Sequence, residues 1–173
     1  MAVVASACAA FGEALARRAI LAEHTDSGRD QRADTTAPGV TLDIGALVSA
    51  VVRLQEGLER HRREPADDQL RGGLIQRFEF TYELAHRILR RYLRQVSPSP
   101  ATFDQMPFQD LIRTGSAQGL LLNDWPAWRH YRDMRARTCH TYSTAVAAEI
   151  VRDIPAFLAD VIHLRDALQR RLA

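Results

Sequence analysis

The sequence predicts an all-α protein: an antiparallel helical bundle of about five to six helices over residues 42–173, preceded by an N-terminal extension over residues 1–41. Three observations predict it. Apolar residues after Leu42 recur three and four positions apart in segment after segment, the period of a helix with one buried face. No segment reads as a convincing strand. Short clusters of Pro, Gly, Ser and Asp separate the segments, and connections that short place successive helices side by side in opposite directions.

In the extension, Val3 to Ala22 suit a short amphipathic helix. Glu23 to Gly39, "EHTDSGRDQRADTTAPG", holds almost no large apolar residue and mixes charges with Thr, Ser, Gly and Pro, which is the composition of a flexible linker. The first bundle helix carries Ile44, Leu47, Val48, Val51, Leu54 and Leu58 on one face, with Asp43 as its cap, and stops before Pro65. The second runs from about Asp67 to Gln95, with Leu70, Leu74, Phe78, Tyr82, Ala85, Leu89 and Tyr92 inward, until "SPSP" at Ser97 to Pro100 breaks it. A third covers roughly Pro107 to Gln118, its end frayed by Gly115 and Gly119. The fourth starts at "NDWPAW", where Asp124 caps and Pro126 fits the first turn, and carries Trp128, Tyr131 and Met134 toward Arg137. A fifth is expected over Ser143 to Arg152. A sixth follows Asp153 and Pro155 to the C-terminus, with Phe157, Val161, Leu164 and Leu168 inward.

The 173 residues suit one domain with a tail. A net charge of +2 neither requires nor excludes nucleic acid, because a local cluster of cations suffices. All 23 cations are arginine, a permanently charged group that can grip a phosphate with two donors. Cys8 and Cys139 make neither a disulfide framework nor a zinc cage, which fits a reducing, cytoplasmic setting. The N-terminal stretch lacks a basic start and is interrupted by Gly12-Glu13, so it reads as a poor signal peptide. No apolar run is long enough to span a bilayer, and no motif calls for a cofactor or a metal.

Chemistry concentrates in "MRARTCHTYST", Met134 to Thr144. Arg135 and His140 are five positions apart, or roughly 140° around one straight helix, so they cannot meet over one substrate unless the helix ends between them or a second chain completes the site. Thr138 and Thr141 are weak helix formers and Ser143 is a good cap, so a break between Arg137 and Ser143 is expected. A bend there brings Arg135, His140 and Tyr142 to one surface. Histidine can move a proton near neutral pH, and arginine can hold a phosphate and stabilise charge building on it. On spacing alone, Arg-x4-His is more often a surface Arg and a half-buried His at a helix end. In the second helix Gln76, Glu79, Glu83 and His86 are spaced three, four and three apart and form one polar strip. A solvated face or internal hydrogen bonding is its commoner meaning.

Taken together, "IQRFEFTYELAHRILRRYL", "GLLLNDWPAWRHYRDMR" and "RARTCHTY" resemble the HEPN superfamily. More narrowly they are similar to the nucleotidyltransferase substrate-binding proteins, over about Leu42 to Leu172. The resemblance implies an antiparallel bundle that forms a homodimer and cuts RNA without metal. Arg135 would bind phosphate, His140 would transfer the proton, and Gln76, Arg77, Glu79 and Glu83 would be supporting polar residues. It also implies a minimal nucleotidyltransferase partner, acting as antitoxin, that transfers AMP to Tyr142. The alternative is a non-catalytic substrate-binding subunit of a nucleotidyltransferase complex, and the blandest reading is a structural helical dimer. Two positions depart from the family pattern. Ala136 follows the arginine where many members carry a polar residue, and His86 stands where relatives often have tryptophan.

Glu23 to Gly39 has too few apolar groups to offset its ordering entropy. Limited trypsin digestion is therefore expected to cut first at Arg29 and Arg32, leaving a stable core that begins near Leu42. Mass spectrometry of the fragments checks this, and slow cutting there contradicts it.

Overall fold

The computed structural model describes residues 42–140 and 143–173. The expected helix and linker of the extension, and Tyr142, lie outside the described residues. Five α-helices are described: α1 (Gly45–Arg63), α2 (Asp68–Val96), α3 (Phe108–Ala117), α4 (Trp125–Arg137) and α5 (Thr144–Leu172). Two short 3₁₀ turns, Pro100–Phe103 and Thr138–His140, join them. The described residues contain no strand, and no helix among them is long and apolar enough to cross a membrane.

The local sequence accounts for most boundaries. Asp67 caps α2, its carboxylate accepting from the amides of Gln69 at 2.8 Å and Leu70 at 3.0 Å. Asp124 caps α4, with Pro126 in the first turn. Asp43 acts one residue earlier than a cap: it accepts from the amide of Gly45, while Ile44 is the capping residue.

Two further expectations are corrected. Gly115 does not fray α3. It is buried inside the helix, where an added Cβ would meet Leu89 at 3.1 Å. The end is instead locked by a paired turn, Leu120 N–H to Gly115 carbonyl and Gly119 N–H to Ser116 carbonyl, with Gly119 at φ 69° supplying the left-handed residue it requires. The fifth and sixth helices are one. Pro155 lies inside α5, although an interior proline removes one helical hydrogen bond and costs about 3 kcal/mol. The apolar stripe Ile150, Val151, Ile154, Phe157, Leu158 and Val161 runs through it without a phase change and is buried throughout. Both halves therefore gain by packing on the same core as one continuous helix.

Contacting pairs give the helix directions. Gly57 faces Leu74 while Arg53 takes a bond from Arg77, so α1 and α2 are antiparallel. His130 pairs with Asp153 and Asn123 with Asp160, so α4 and α5 are antiparallel. Phe78 meets Phe157 and Tyr92 meets Arg171, so α2 and α5 run parallel. At the centre Phe157 makes T-shaped contacts with Phe78 (5.0 Å), Tyr131 (5.4 Å) and Trp128 (6.3 Å), an arrangement favoured by the ring quadrupoles.

Asp160, on α5, has no exposed surface. It accepts from the Asn123 amide at 2.9 Å, from Asn123 Nδ2 at 2.8 Å and from the Tyr131 hydroxyl at 2.7 Å. Burial, and then this bond to Asp160, push the Tyr131 phenol above its ordinary range. Asp160→Ala would strand these donors and is expected to cost on the order of 3 kcal/mol, read from the urea midpoint. Asp160→Asn should recover part of the loss, since its amide oxygen still accepts.

Candidate active site

α4 ends where the sequence weakens it. Thr138 terminates the helix and its amide bonds to the Arg135 carbonyl; the chain then enters the turn Thr138–His140, and α5 restarts at Thr144 after Ser143. The expected break between Arg137 and Ser143 is therefore present. Ser143 occupies the capping position without a side-chain cap bond.

Arg135 is one-third exposed and points at α2. Its Nη1 lies 3.2 Å from Glu79 Oε1 and its Nε 3.2 Å from Glu83 Oε1. Neither contact uses Nη2. Thr138, which is buried, ties the group together: its hydroxyl donates to Glu79, lies 2.9 Å from the Arg135 carbonyl and accepts weakly from Nη1 at 3.4 Å. Such part-exposed ion pairs contribute only about 0–1 kcal/mol each. Their effect is orientation: two carboxylates and a threonine aim one guanidinium and leave one nitrogen for another acceptor.

Of the other residues singled out in the sequence, Glu79 and Glu83 meet Arg135. Arg77 goes the other way, to the carbonyl of Arg53 on α1, and Gln76 is exposed on α2. His140 belongs to the 3₁₀ turn; its side chain, like residues 141 and 142, lies outside the described residues. Ala136 is exposed. Thr138 was singled out in the sequence as a weak helix former and local hydrogen-bonder, not as a partner of Glu79. A threonine three residues after the arginine was the available signal for its hydrogen-bonding role. Among the described residues no group of three or more His, Cys, Asp or Glu could hold a metal ion.

His86 leaves the polar strip. It is half-buried, its ring in a T-shaped contact with Phe108 at 5.0 Å, and its Nε2 has no partner. Burial, and then the charges of Arg90, Arg87 and Arg132, push its pKa down to about 4.

Residues 42–170 match the family described as nucleotidyltransferase substrate binding protein like. "Probable ribonuclease HepT" of Haemophilus influenzae is 36% identical over 104 residues, 60% of this chain and 70% of that protein. A solved Haemophilus influenzae structure, described as revealing the fold of a substrate binding domain of a nucleotidyltransferase, superposes with a TM-score of 0.70 at 29% identity. It covers 73% of this chain and 99% of its own.

The His86 environment predicts a pH effect on stability. A histidine at about 4 in the folded chain and about 6.5 unfolded binds its proton more readily when unfolded. Its contribution to stability is therefore lost as pH falls from about 6.5 toward 4, by up to about 3 kcal/mol. His86→Phe should remove that part of the acid sensitivity, measured as the difference between the two proteins' urea midpoints across this range.

Proposed function

The chain belongs to the nucleotidyltransferase substrate binding protein like family, and from that premise we propose that it is the toxin-like, RNA-cleaving half of a two-component module. Arg135 binds the phosphate and stabilises the charge that builds on it. His140 moves the proton, assisting attack by the 2′-hydroxyl or protonating the leaving oxygen. A second copy of the chain completes the site, and the cut needs no metal. The partner is a minimal nucleotidyltransferase that acts as antitoxin by transferring AMP from ATP to the Tyr142 phenol, with release of pyrophosphate. The bulk and negative charge of that ester beside Arg135 keep RNA out. The module works in the cytoplasm.

The observation that carries this reading is the oriented Arg135 guanidinium, with Nη2 outside both carboxylate contacts, one helical turn ahead of the turn Thr138–His140. The name of the Haemophilus relative, a probable ribonuclease, supports it. One observation favours the second reading, a non-catalytic subunit that presents a substrate to a nucleotidyltransferase. Two carboxylates face a single guanidinium, so the cluster sums to one negative charge, which disfavours a phosphate.

Cleavage decides between them. Arg135→Ala and His140→Ala should each lose about 10²–10⁴ in RNA cleavage rate while remaining folded and dimeric, and EDTA should leave the wild-type rate unchanged. Incubation with ATP and the nucleotidyltransferase should raise the mass by AMP units, and Tyr142→Phe should abolish the increase. A wild-type chain that binds the nucleotidyltransferase tightly but cuts no RNA establishes the second reading instead.

A further inference from the structure

Arg132 lies three residues before Arg135 on α4, which puts it on nearly the same face, about 4.5 Å along the axis. The two guanidiniums are in opposite situations. Arg135 is held between Glu79 and Glu83. Arg132 is exposed, and no described ion pair engages it. Its guanidinium lies over the ring of Phe108, 5.5 Å from the centroid. Phe108 is held in turn by T-shaped contacts with His86 at 5.0 Å and Trp125 at 5.9 Å. A cation–π contact of this kind orients the charge without neutralising it.

Two consequences follow for a strand whose phosphate reaches Arg135. The net negative charge of the Arg135 cluster is cancelled only when Arg132 is counted with it. And Arg132, backed on one side by an aromatic ring and free of carboxylates, offers the flat, cationic surface on which unpaired bases stack. A duplex keeps its bases stacked inside and cannot use that surface.

We propose that Arg132 is a further RNA-contacting residue, and that its guanidinium, supported by Phe108, stacks on the base of the nucleotide next to the phosphate held by Arg135. The substrate class is then single-stranded RNA. This inference rests on the ribonuclease reading.

The test measures binding of a short, 2′-O-methylated single-stranded RNA, which cannot be cut, to the full chain by fluorescence anisotropy. Arg132→Ala should weaken binding roughly tenfold, the scale of one lost base stack. Arg132→Lys should weaken it almost as much, because lysine keeps the charge but not the plane. A blunt duplex of the same sequence should bind more weakly and be indifferent to Arg132→Lys, which keeps the charge. Wild-type affinity in Arg132→Lys overturns the stacking assignment, as does unchanged affinity in Arg132→Ala. Loss of nucleotidyltransferase binding in Arg132→Ala with RNA binding intact also overturns it, and assigns the surface to the protein partner. The two readings fail differently: binding that depends on Arg135 but not on Arg132 removes only this proposal, whereas a wild-type chain that binds no RNA removes the ribonuclease reading and this proposal together.

Discussion

A carboxylate with no exposed surface has to be surrounded by donors, because an unpaired buried charge costs several kcal/mol. Asp160 meets that requirement with the backbone and side chain of Asn123 and the hydroxyl of Tyr131. The constraint is positional. It draws the connection that precedes α4 onto the middle of α5 and sets the rotation of α4 through Tyr131. With Trp128, Tyr131 and Met134 turned into the core, the remaining exposed flank of α4 carries Arg132 and Arg135 beside α2. The oriented guanidinium at one end of the helix thus depends on a buried acid bound near the other.

The site is assembled from parts that contribute little stability. Ion pairs at one-third to one-half exposure are weak, and the aromatic cluster around Phe157 holds the bundle without them. Glu79, Glu83 and Thr138 are better understood as a holder for Arg135 than as a brace for the fold. His86 is different. It takes a half-buried place against Phe108 among three arginines and leaves Nε2 unpaired, so it lowers stability under acid conditions while adding no hydrogen bond. An apolar ring at that position would avoid the penalty.

Helix character, the inward faces, the cap at Asp124 and the break after Arg137 were all readable from the sequence. Each depends on residues within one or two turns of one another, where periodicity and capping chemistry act directly. The same local rules misjudged Gly115 and Pro155. Glycine near a helix end is normally a terminator, but Gly115 sits inside the helix at a tight approach, where an added Cβ would crowd Leu89 of another helix. Proline normally ends a helix, but a stripe that stays in phase across Pro155 makes one continuous helix the better way to bury both halves.

The sequence by itself determined an all-α bundle, the resemblance that carries its family, and the identity of Arg135, His140 and Tyr142 as the residues to watch. What only the tertiary structure decided is which polar residues meet. Glu79 and Glu83 reach Arg135 across 56 and 52 positions of chain, while Arg77, two residues from Glu79, turns to α1. His86, from the same strip, is taken into the protein. The physical reason is that helical period gives the phase of a side chain around its own axis, whereas its partner is set by how neighbouring helices cross and rotate. That rotation is governed here by long-range contacts such as Asp160 with Tyr131, which no local pattern encodes.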